Sequence, residues 1–594
     1  MNEKKYIRLV PIILFILIVP LVVRIKILDF PIENLLWSNY PPRVADLFTY
    51  YKGIVIIISA VMASLILLKM FFLEKNKIKF DKYKKMILIS SLFIGIVTLL
   101  SKYKFIAIRG DISRAEGAFV LISYLIMTVY IGEVIKEKKE LKIILYGIYI
   151  LGAILGLIGL FQYMGKDIFD TALFQKLYLA EGITRENLNF KMNGRIFMTL
   201  FNPNYVGSFA ALIYTFSLNM IIRRKKIIEK FFWSLQIILM FIALEGSLSE
   251  AGFIGVFVGS LATLVINYKL IIHNKKKLLI FFIIFFTILG GGYNKYKDNR
   301  YISSIRGTFT GINKKVETPL KSITTENSRI IFNYDNDNYE FILDKNNPEK
   351  SFDFYRDGKA IDVEINDTDN KILIKDDVSE NIQISFFSEI GKDGYKIVFD
   401  GRAFHFLIDN DEILYRNSIR KLVSLDSVDY VKAFEGYEHL GSGRFYIWSR
   451  SIPLLKRTWL VGFGPDHFAY NFPQTDYVGK NMKNMRMVNT VVDKPHNMYL
   501  QYAINIGVVP LLILLAFWFM LLYELFKIVQ KEELDDIYLT VAAAAFSSII
   551  GFMAVGMFND STVNVSSIFW GIVGLGLAVV NYNRYDHIRF KKEN

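Results

Sequence analysis

The sequence predicts a mainly α-helical, multi-pass membrane protein with a β-rich insert outside the membrane. Three observations predict this class: 53% of the 594 residues are hydrophobic, apolar runs of membrane-spanning length recur, and basic residues concentrate in the short loops between them. Because of that placement, the formal charge of +15 reflects membrane topology rather than nucleic-acid binding. The chain has no cysteine, which excludes disulfides, thiolate catalysis and cysteine-ligated metals.

About twelve apolar runs of roughly 17–25 residues predict as many transmembrane helices, since this length crosses about 30 Å of hydrocarbon. Their approximate bounds are 8–28, 52–73, 85–100, 117–135, 142–164, 204–222, 231–248, 251–267, 278–293, 504–528, 537–558 and 565–582. The first run follows Lys4, Lys5 and Arg8 as a signal peptide would. It lacks a small-residue cleavage site, so we interpret it as a retained helix.

Loop charges predict the orientation, because Lys and Arg stay on the cytoplasmic side. With both termini cytoplasmic, the inner segments are 74–85, 136–142, 223–230, 268–277, 530–536 and the tail from 583, and all except the acidic 530–536 are basic. The outer loop 29–51 carries three acidic residues against the single Arg43. The same topology makes the segment 294–500 extracytoplasmic, between transmembrane domains at 1–293 and 501–594.

Within that segment, residues 328–415 alternate apolar and polar side chains in short stretches, which predicts an antiparallel β-module. The candidate strands are Arg329–Tyr334, Asn338–Leu343, Lys371–Lys375, Ile382–Phe387, Tyr395–Phe399 and Phe404–Ile408. The acidic triplets at 335–337 and 409–411 fall between strands, where Asp and Asn form turns rather than metal sites. His405, His439 and His467 lack a ligand spacing, so we predict no metal.

A first polar cluster lies at the outer entrance of the sixth predicted span. Arg195 is followed by Asn202-Pro203-Asn204. Pro203 interrupts helical hydrogen bonding, and the two Asn side chains can satisfy the freed backbone or a polar ligand. An interfacial helix cap is the alternative, although an Arg at an outer boundary runs against the usual charge bias.

A second cluster follows the β-module. Arg444 comes after a Gly-Ser-Gly turn and opens a stretch of about 444–460 that is patterned as a membrane-surface helix, with Arg450, Lys456 and Arg457 toward lipid headgroups. Anchoring to lipid headgroups is a sufficient explanation for most of these charges. Arg450 is also a candidate substrate contact. Arg444 differs, because a guanidinium beside the free amides of a helix N-terminus makes a phosphate site.

The third cluster is Lys494-Pro495-His496-Asn497, where the outer segment re-enters the membrane. An imidazole titrates near neutrality and can take a proton from a sugar hydroxyl, although a lone His is more often structural. The predicted topology puts all three clusters on the same side at membrane depth. Arg195 and Arg444 could bind a pyrophosphate, and His496 could transfer a proton. Together they suit a substrate linked to a lipid through a pyrophosphate.

These motifs, with Trp448 and Gly462-Phe463-Gly464, resemble the signatures of the O-antigen ligase and polymerase superfamily, in order from about 190 to 510. The resemblance implies a GT-C-type helical fold in a bacterial cytoplasmic membrane. It also implies transfer of a glycan from undecaprenyl pyrophosphate to the hydroxyl of a surface glycan, lipid or protein outside the membrane, without metal, cofactor or nucleotide sugar. Arg195 and Arg444 would bind the pyrophosphate, and His496 would act as base or orient the acceptor, with Asn202, Asn204 and Asn497 as substrate contacts.

The chain departs from the family pattern at one turn, where Glu250 stands in place of the usual Arg. Glu250 could itself contact a sugar or an Arg. Ligase and polymerase differ only in the acceptor, which these motifs do not encode. A lipid-linked glycan transporter or flippase is an alternative, although such folds usually have polar residues near the bilayer midplane. A sensor or scaffold would leave Arg195, Arg444 and His496 without a shared purpose.

Overall fold

In a computed structural model, the chain forms a bundle of apolar helices that carries a two-sheet β-module at one end. The structure describes residues 3–593 except 30–31, 33–34, 39–40, 75–79, 113, 189–193, 275–314, 317, 344–351, 367–370, 375–381, 390, 411, 483–489 and 535.

The helices follow the apolar runs of the sequence. In chain order they are α1 (Tyr6–Leu21), α2 (Tyr50–Phe72), α3 (Lys82–Leu100), α4 (Lys104–Arg109), α5 (Ala118–Val134), α6 (Lys138–Tyr163), α7 (Ala172–Tyr178), α8 (Pro203–Arg223), α9 (Ile227–Ser247), α10 (Glu250–Ile266), α11 (Tyr268–Asn274), α12 (Arg444–Ser451), α13 (Phe468–Asn471), α14 (Tyr477–Met482), α15 (Met498–Asn505), α16 (Val508–Lys531), α17 (Asp536–Val555) and α18 (Val563–Glu593).

Among the described residues, eight helices are long and apolar enough to cross a membrane, and the shorter α1, α5 and α10 are apolar as well. Eleven of the twelve predicted spans therefore have a helical counterpart, whereas the predicted span 278–293 lies outside the described residues. The chain is thus a multi-pass membrane protein, and the count of twelve stays a prediction.

Two predicted span bounds are wrong. The first helix ends at Leu21 rather than at 28, because Pro20 cannot donate a backbone hydrogen bond and a β-strand begins at Lys26. The predicted span 504–528 begins too early, because α15 ends at Asn505 and α16 begins at Val508, and Gly507 between them has a φ of 131°, which only glycine adopts readily. The short α15 is thereby separated from the bundle helix α16.

The segments predicted to be cytoplasmic meet at one end of the bundle. Arg8 pairs with Glu74 at 2.7 Å, and Arg584 pairs with Asp81 at 2.9 Å. The Nζ of Lys269 donates to the carbonyl of Gln530 at 2.7 Å. We call this the basic end, and the opposite end, which carries the β-module, the module end.

Helices at the centre of the bundle approach one another through glycine. A Cβ on Gly252 of α10 would lie 2.6 Å from the Cα of Gly207 in α8, so the two backbones touch. Small residues allow such close approach inside membranes, where apolar surface does not by itself drive helix association. The central α8 and the part of α18 from Val563 to Arg584 are largely buried, whereas α2 and α3 expose Ile, Leu and Phe side chains as lipid-facing helices do.

The strands confirm the predicted antiparallel module and extend it beyond 328–415 on both sides. A hairpin of β1 (Lys26–Asp29) and β2 (Arg43–Asp46) precedes the module. The module strands are β3 (Leu320–Glu326), β4 (Arg329–Tyr334), β5 (Asp337–Leu343), β6 (Phe352–Arg356), β7 (Lys359–Ala360), β8 (Val363–Asn366), β9 (Lys371–Ile374), β10 (Ile382–Glu389), β11 (Lys392–Phe399), β12 (Arg402–Asp409), β13 (Glu412–Arg416) and β14 (Leu422–Val423).

Strands β3–β7 form one sheet and β8–β14 the other, each with neighbours in chain order. Aromatic side chains fill the space between the sheets. The rings of Phe332 and Phe399, for example, lie 4.8 Å apart edge to face. Between β4 and β5, Asp335 and Asn336 have φ values of 52° and 75°, as a tight hairpin turn requires, so this acidic triplet forms the predicted turn.

Candidate functional site

The three polar clusters meet at one short loop, residues 556–562, which joins α17 to α18 at the module end. The Nδ2 of Asn559 donates to the carbonyl of Asn204 at 3.1 Å, which ties the first cluster to the loop. The Nε of Arg444 donates to the carbonyl of Phe558 at 3.2 Å, and the His496 ring contacts Asp560. We call this loop the 556–562 loop.

His496 is held in place by backbone geometry on both sides. Its φ of 50° is uncommon for a residue with a side chain, and such strain concentrates at functional sites. Asn497 caps α15 by accepting from the backbone N–H groups of Tyr499 and Leu500, each at 3.0 Å, while its Nδ2 donates to the carbonyl of Met557 at 3.0 Å. Asn497 is therefore a positioning residue that fixes His496 against the 556–562 loop.

The ring of His496 is oriented by a buried carboxylate. Its Nδ1 lies 3.2 Å from Oδ2 of Asp560, whose side chain is 1% exposed, while the His496 side chain is 29% exposed. A carboxylate only accepts hydrogen bonds, so Nδ1 carries a hydrogen, and in the neutral form of the ring the lone pair is on Nε2. An imidazole in this state can accept a proton, and the developing positive charge would be stabilised by Asp560.

Asp560 is ionised in spite of its burial. Burial alone would raise the pKa of this carboxyl, but His496, Lys494 and Arg114 act against it and bring the pKa below the ordinary value. Its Oδ1 is buried without a hydrogen-bond partner among the described residues, so electrostatic attraction to Lys494 and Arg114 and the contact of Oδ2 with His496 stabilise its charge. Asp560 was not predicted from the sequence, because its burial beside His496 depends on contacts between segments far apart in the chain.

Lys494 adds a second buried cation, which belongs to the third polar cluster and has no role predicted from the sequence. Its side chain is 12% exposed, its Nζ lies 3.4 Å from Asp493, and it lies 5.9 Å from the ring centre of Tyr205. Burial disfavours its charge, but Tyr205, Asp493 and Asp560 more than offset this and raise its pKa above the ordinary value. Lys494 is therefore a positive charge fixed beside His496.

Arg444 begins α12, as the sequence predicted. Gly443 before it has a φ of 84°, and the Arg444 guanidinium donates to the carbonyls of Gly441 and Phe558 at 3.0 and 3.2 Å. The side chain is partly buried, which lowers its pKa, while the carboxylates of Asp560 and Glu250 favour its charged form. An Arg stays charged in proteins, so a cation faces the same loop as His496.

Arg195 and Glu250 lie at the junction of α9 and α10. Arg195 donates to the carbonyls of Ser247 and Leu248 at 2.8 and 3.3 Å, at the C-terminal end of α9, where a cation is stabilised by the helix dipole. Ser249 caps α10 by accepting from the N–H of Gly252, and Glu250 is the exposed first residue of that helix. Arg195 thus has a structural function in this arrangement, and its predicted substrate contact stays a prediction.

Asn202 and Asn204 of the first cluster form a helix cap, which was the alternative interpretation of this motif. The Oδ1 of Asn202 accepts from the N–H of Asn204 at 2.9 Å and caps α8, with Pro203 at the first helical position. The Asn204 side chain is partly exposed next to the 556–562 loop, so a cap and a substrate contact are compatible there.

Arg450 does not face lipid headgroups, which corrects the predicted surface helix. Its guanidinium is buried and lies 2.9 Å from Asp476 and 3.4 Å from Glu438. The predicted helix 444–460 also ends early, at Ser451, and continues as a 3-10 turn at Ile452–Lys456 that contains Pro453. Two carboxylates that are distant in sequence thus draw Arg450 inward, away from His496.

A buried ion pair supports the site from behind. The Nε of Arg114 lies 3.2 Å from Asp466, and its Nη1 donates to the carbonyl of Asp493 at 3.1 Å. Asp466 follows the Gly462-Phe463-Gly464 motif and accepts from the backbone N–H of Glu116 at 3.0 Å. This network joins the loop before α5 to the segment that carries His496. Sequence reasoning missed it, although an acidic residue two positions after a Gly-rich motif was a usable signal.

Glu116 extends the same network to the 556–562 loop. Its Oε1 accepts from the hydroxyls of Tyr124 and Ser561, each at 2.9 Å. Burial, reinforced by the nearby Asp466, raises the pKa of Glu116 to about 8. Glu116 is therefore largely protonated at neutral pH and acts as a neutral hydrogen-bonding group.

Comparison with known families supports the resemblance drawn from the motifs. Residues 403–515 match the family model described as O-antigen ligase, a segment that includes Arg444, His496 and Asn497. The match covers about a fifth of the chain. Comparison with curated proteins gave no match. The chain is therefore a membrane protein that is similar, over residues 403–515, to the O-antigen ligase family.

Proposed function

We propose that the protein is a glycosyltransferase that moves a glycan from undecaprenyl pyrophosphate to an acceptor hydroxyl at the outer face of the membrane. One observation carries the proposal. Arg444 contacts the 556–562 loop, Lys494 interacts electrostatically with Asp560 of that loop, and the same buried Asp560 orients the His496 imidazole. Cations stabilise a pyrophosphate leaving group, and the imidazole accepts the proton of the attacking hydroxyl.

The reaction follows from these positions. The acceptor oxygen attacks the anomeric carbon of the glycan while its proton moves to Nε2 of His496. The bond from that carbon to the pyrophosphate oxygen breaks, and undecaprenyl pyrophosphate leaves with the bonding electrons. Arg444 and Lys494 stabilise the negative charge that develops on the pyrophosphate, with Arg195 as a further candidate contact. Asp560 stabilises the imidazolium, and the residues named here do not require a metal ion.

Loop charges support the assignment to the outer face. The basic end of the bundle collects the segments rich in Lys and Arg, and such segments stay cytoplasmic. The 556–562 loop and His496 belong to the opposite, module end. A site at this depth can reach a pyrophosphate headgroup while the polyprenyl chain stays in the bilayer.

A reconstitution assay tests the proposal. Purified protein in liposomes is given an undecaprenyl-pyrophosphate-linked glycan, an acceptor glycan and EDTA, and glycosylated acceptor is quantified. We expect turnover by the wild type and a loss of about 100-fold or more for His496→Ala and Arg444→Ala. Arg185→Ala is the matched control, because Arg185 pairs with Asp170 elsewhere at the module end. Full activity of both site variants, or transport of the intact lipid-linked glycan without transfer, would contradict the proposal.

A further inference from the structure

A polar cleft of about 310 Å³ lies between the β-module and the segments that surround α12. Strands β3–β5 form one wall, and residues 425–430 and 475–478 form the other. This volume is at the lower end of the range for small-molecule sites, about 300–1,000 Å³. Most of the lining residues are polar or charged, unlike the largely apolar lining of a typical ligand pocket.

Both cations of the cleft are already neutralised. The Nζ of Lys321 pairs with Glu435 at 3.0 Å. Arg450, at the base of the cleft, pairs with Asp476 at 2.9 Å and with Glu438 at 3.4 Å. The cleft therefore has no uncompensated positive charge that would select a phosphate or a nucleotide.

The remaining groups suit a ligand with many hydroxyls. The side-chain amides of Asn333 and Asn338 face each other at 3.1 Å on one wall, and the exposed Asp426 and Ser427 lie on the other. Carboxylates accept hydrogen bonds, whereas amides and hydroxyls both donate and accept. The ring of Tyr430 lies beneath the Arg450 guanidinium at 4.9 Å and adds a flat wall.

We propose that this cleft binds a neutral oligosaccharide segment of the glycan that the protein handles. The inference rests on the proposed function for the source of that glycan. Arg444 and Arg450 lie on different faces of α12, about 9 Å apart along its axis at 1.5 Å per residue. The lining of the cleft includes neither Arg444 nor His496, so the cleft holds a glycan without taking part in the transfer.

Binding is tested on the full-length protein in nanodiscs by saturation-transfer NMR. The probes are neutral di- to tetrasaccharides, with sugar phosphates and short polar peptides for comparison. We expect millimolar or tighter binding of a neutral probe, weakened about 10-fold by Asn338→Ala combined with Asp426→Asn. Gln383→Ala, which removes an exposed amide from the other sheet, should leave binding unchanged.

Three outcomes would overturn the inference: no binding of any neutral probe, equal weakening by Gln383→Ala, or preferential binding of sugar phosphates or peptides. The transfer reaction is measured in parallel. His496→Ala should abolish transfer and keep oligosaccharide binding, whereas the cleft variant should raise KM for a glycan acceptor with kcat unchanged. Binding without wild-type transfer would contradict the proposed function alone, and transfer without binding would overturn the cleft alone.

Discussion

Replacing Asp560 by Asn removes one charge from the centre of the candidate site and keeps the shape of the side chain. Unit charges 3.2 Å apart attract by about 5 kcal/mol at an effective dielectric constant of about 20. The cost of desolvation reduces the net value of such a charged hydrogen bond to about 1.5–3 kcal/mol. Because His496 becomes positive only as it accepts the proton, we expect this energy to be lost from the transition state, and kcat to fall about 10- to 150-fold.

The assay is glycan transfer by the purified variants in liposomes, arranged as a double-mutant cycle. Asp560→Asn should cost less than about 3-fold in a His496→Ala background, since its effect acts through the imidazole. Asp170→Asn, which removes an exposed charge paired with Arg185, is the control and should keep full activity. Equal losses in both backgrounds, with unchanged thermal stability, would refute the assigned coupling of Asp560 to His496.

Three further predictions follow from buried groups. Lys494→Met should raise KM for the lipid-linked donor about 10-fold, and an unchanged KM would remove Lys494 from donor binding. The pKa of Glu116 rises from 4.5 to about 8 on folding, so the free energy of unfolding of the wild type should fall as pH increases across that interval. Glu116→Gln should abolish this part of the fall. Parallel profiles of Tm against pH for the wild type and the variant would contradict this prediction. Gly252→Ala should cost about 1–3 kcal/mol by collision with Gly207, whereas Gly95→Ala, with open space around it, should be tolerated; equal Tm values would count against the close packing.

Hydrophobic length and alternation predicted most of the fold, because both report directly on burial in lipid or in a sheet. The long helices between α2 and α10 and the strands around Tyr334 and Phe399 lie close to their predicted bounds, whereas the short α4 and α7 were not predicted. The errors occur where one residue overrides the pattern. Gly507 divides a continuous apolar run into two helices, and Pro20 helps to end the first helix early.

The candidate site was predictable only in part. Arg444 and His496 stand out in sequence because they are polar residues at the ends of apolar or Gly-rich segments, and both contact the 556–562 loop. Asp560 and Arg114 gave no comparable signal, since their importance arises from burial and from partners far away in the chain. Arg450 was predicted to face lipid headgroups or substrate from its place in a basic helical stretch. The structure instead places it in buried ion pairs with Glu438 and Asp476, on another face of α12 than Arg444.

The most direct test of the central claim is the stoichiometry of the reaction in proteoliposomes with EDTA present. Undecaprenyl pyrophosphate and glycosylated acceptor are quantified together by mass spectrometry for the wild type and for His496→Ala. The account predicts equal molar amounts of the two products from the wild type and neither from the variant. Equal product formation by the variant, or a wild type that releases undecaprenyl pyrophosphate without glycosylating the acceptor, would contradict it.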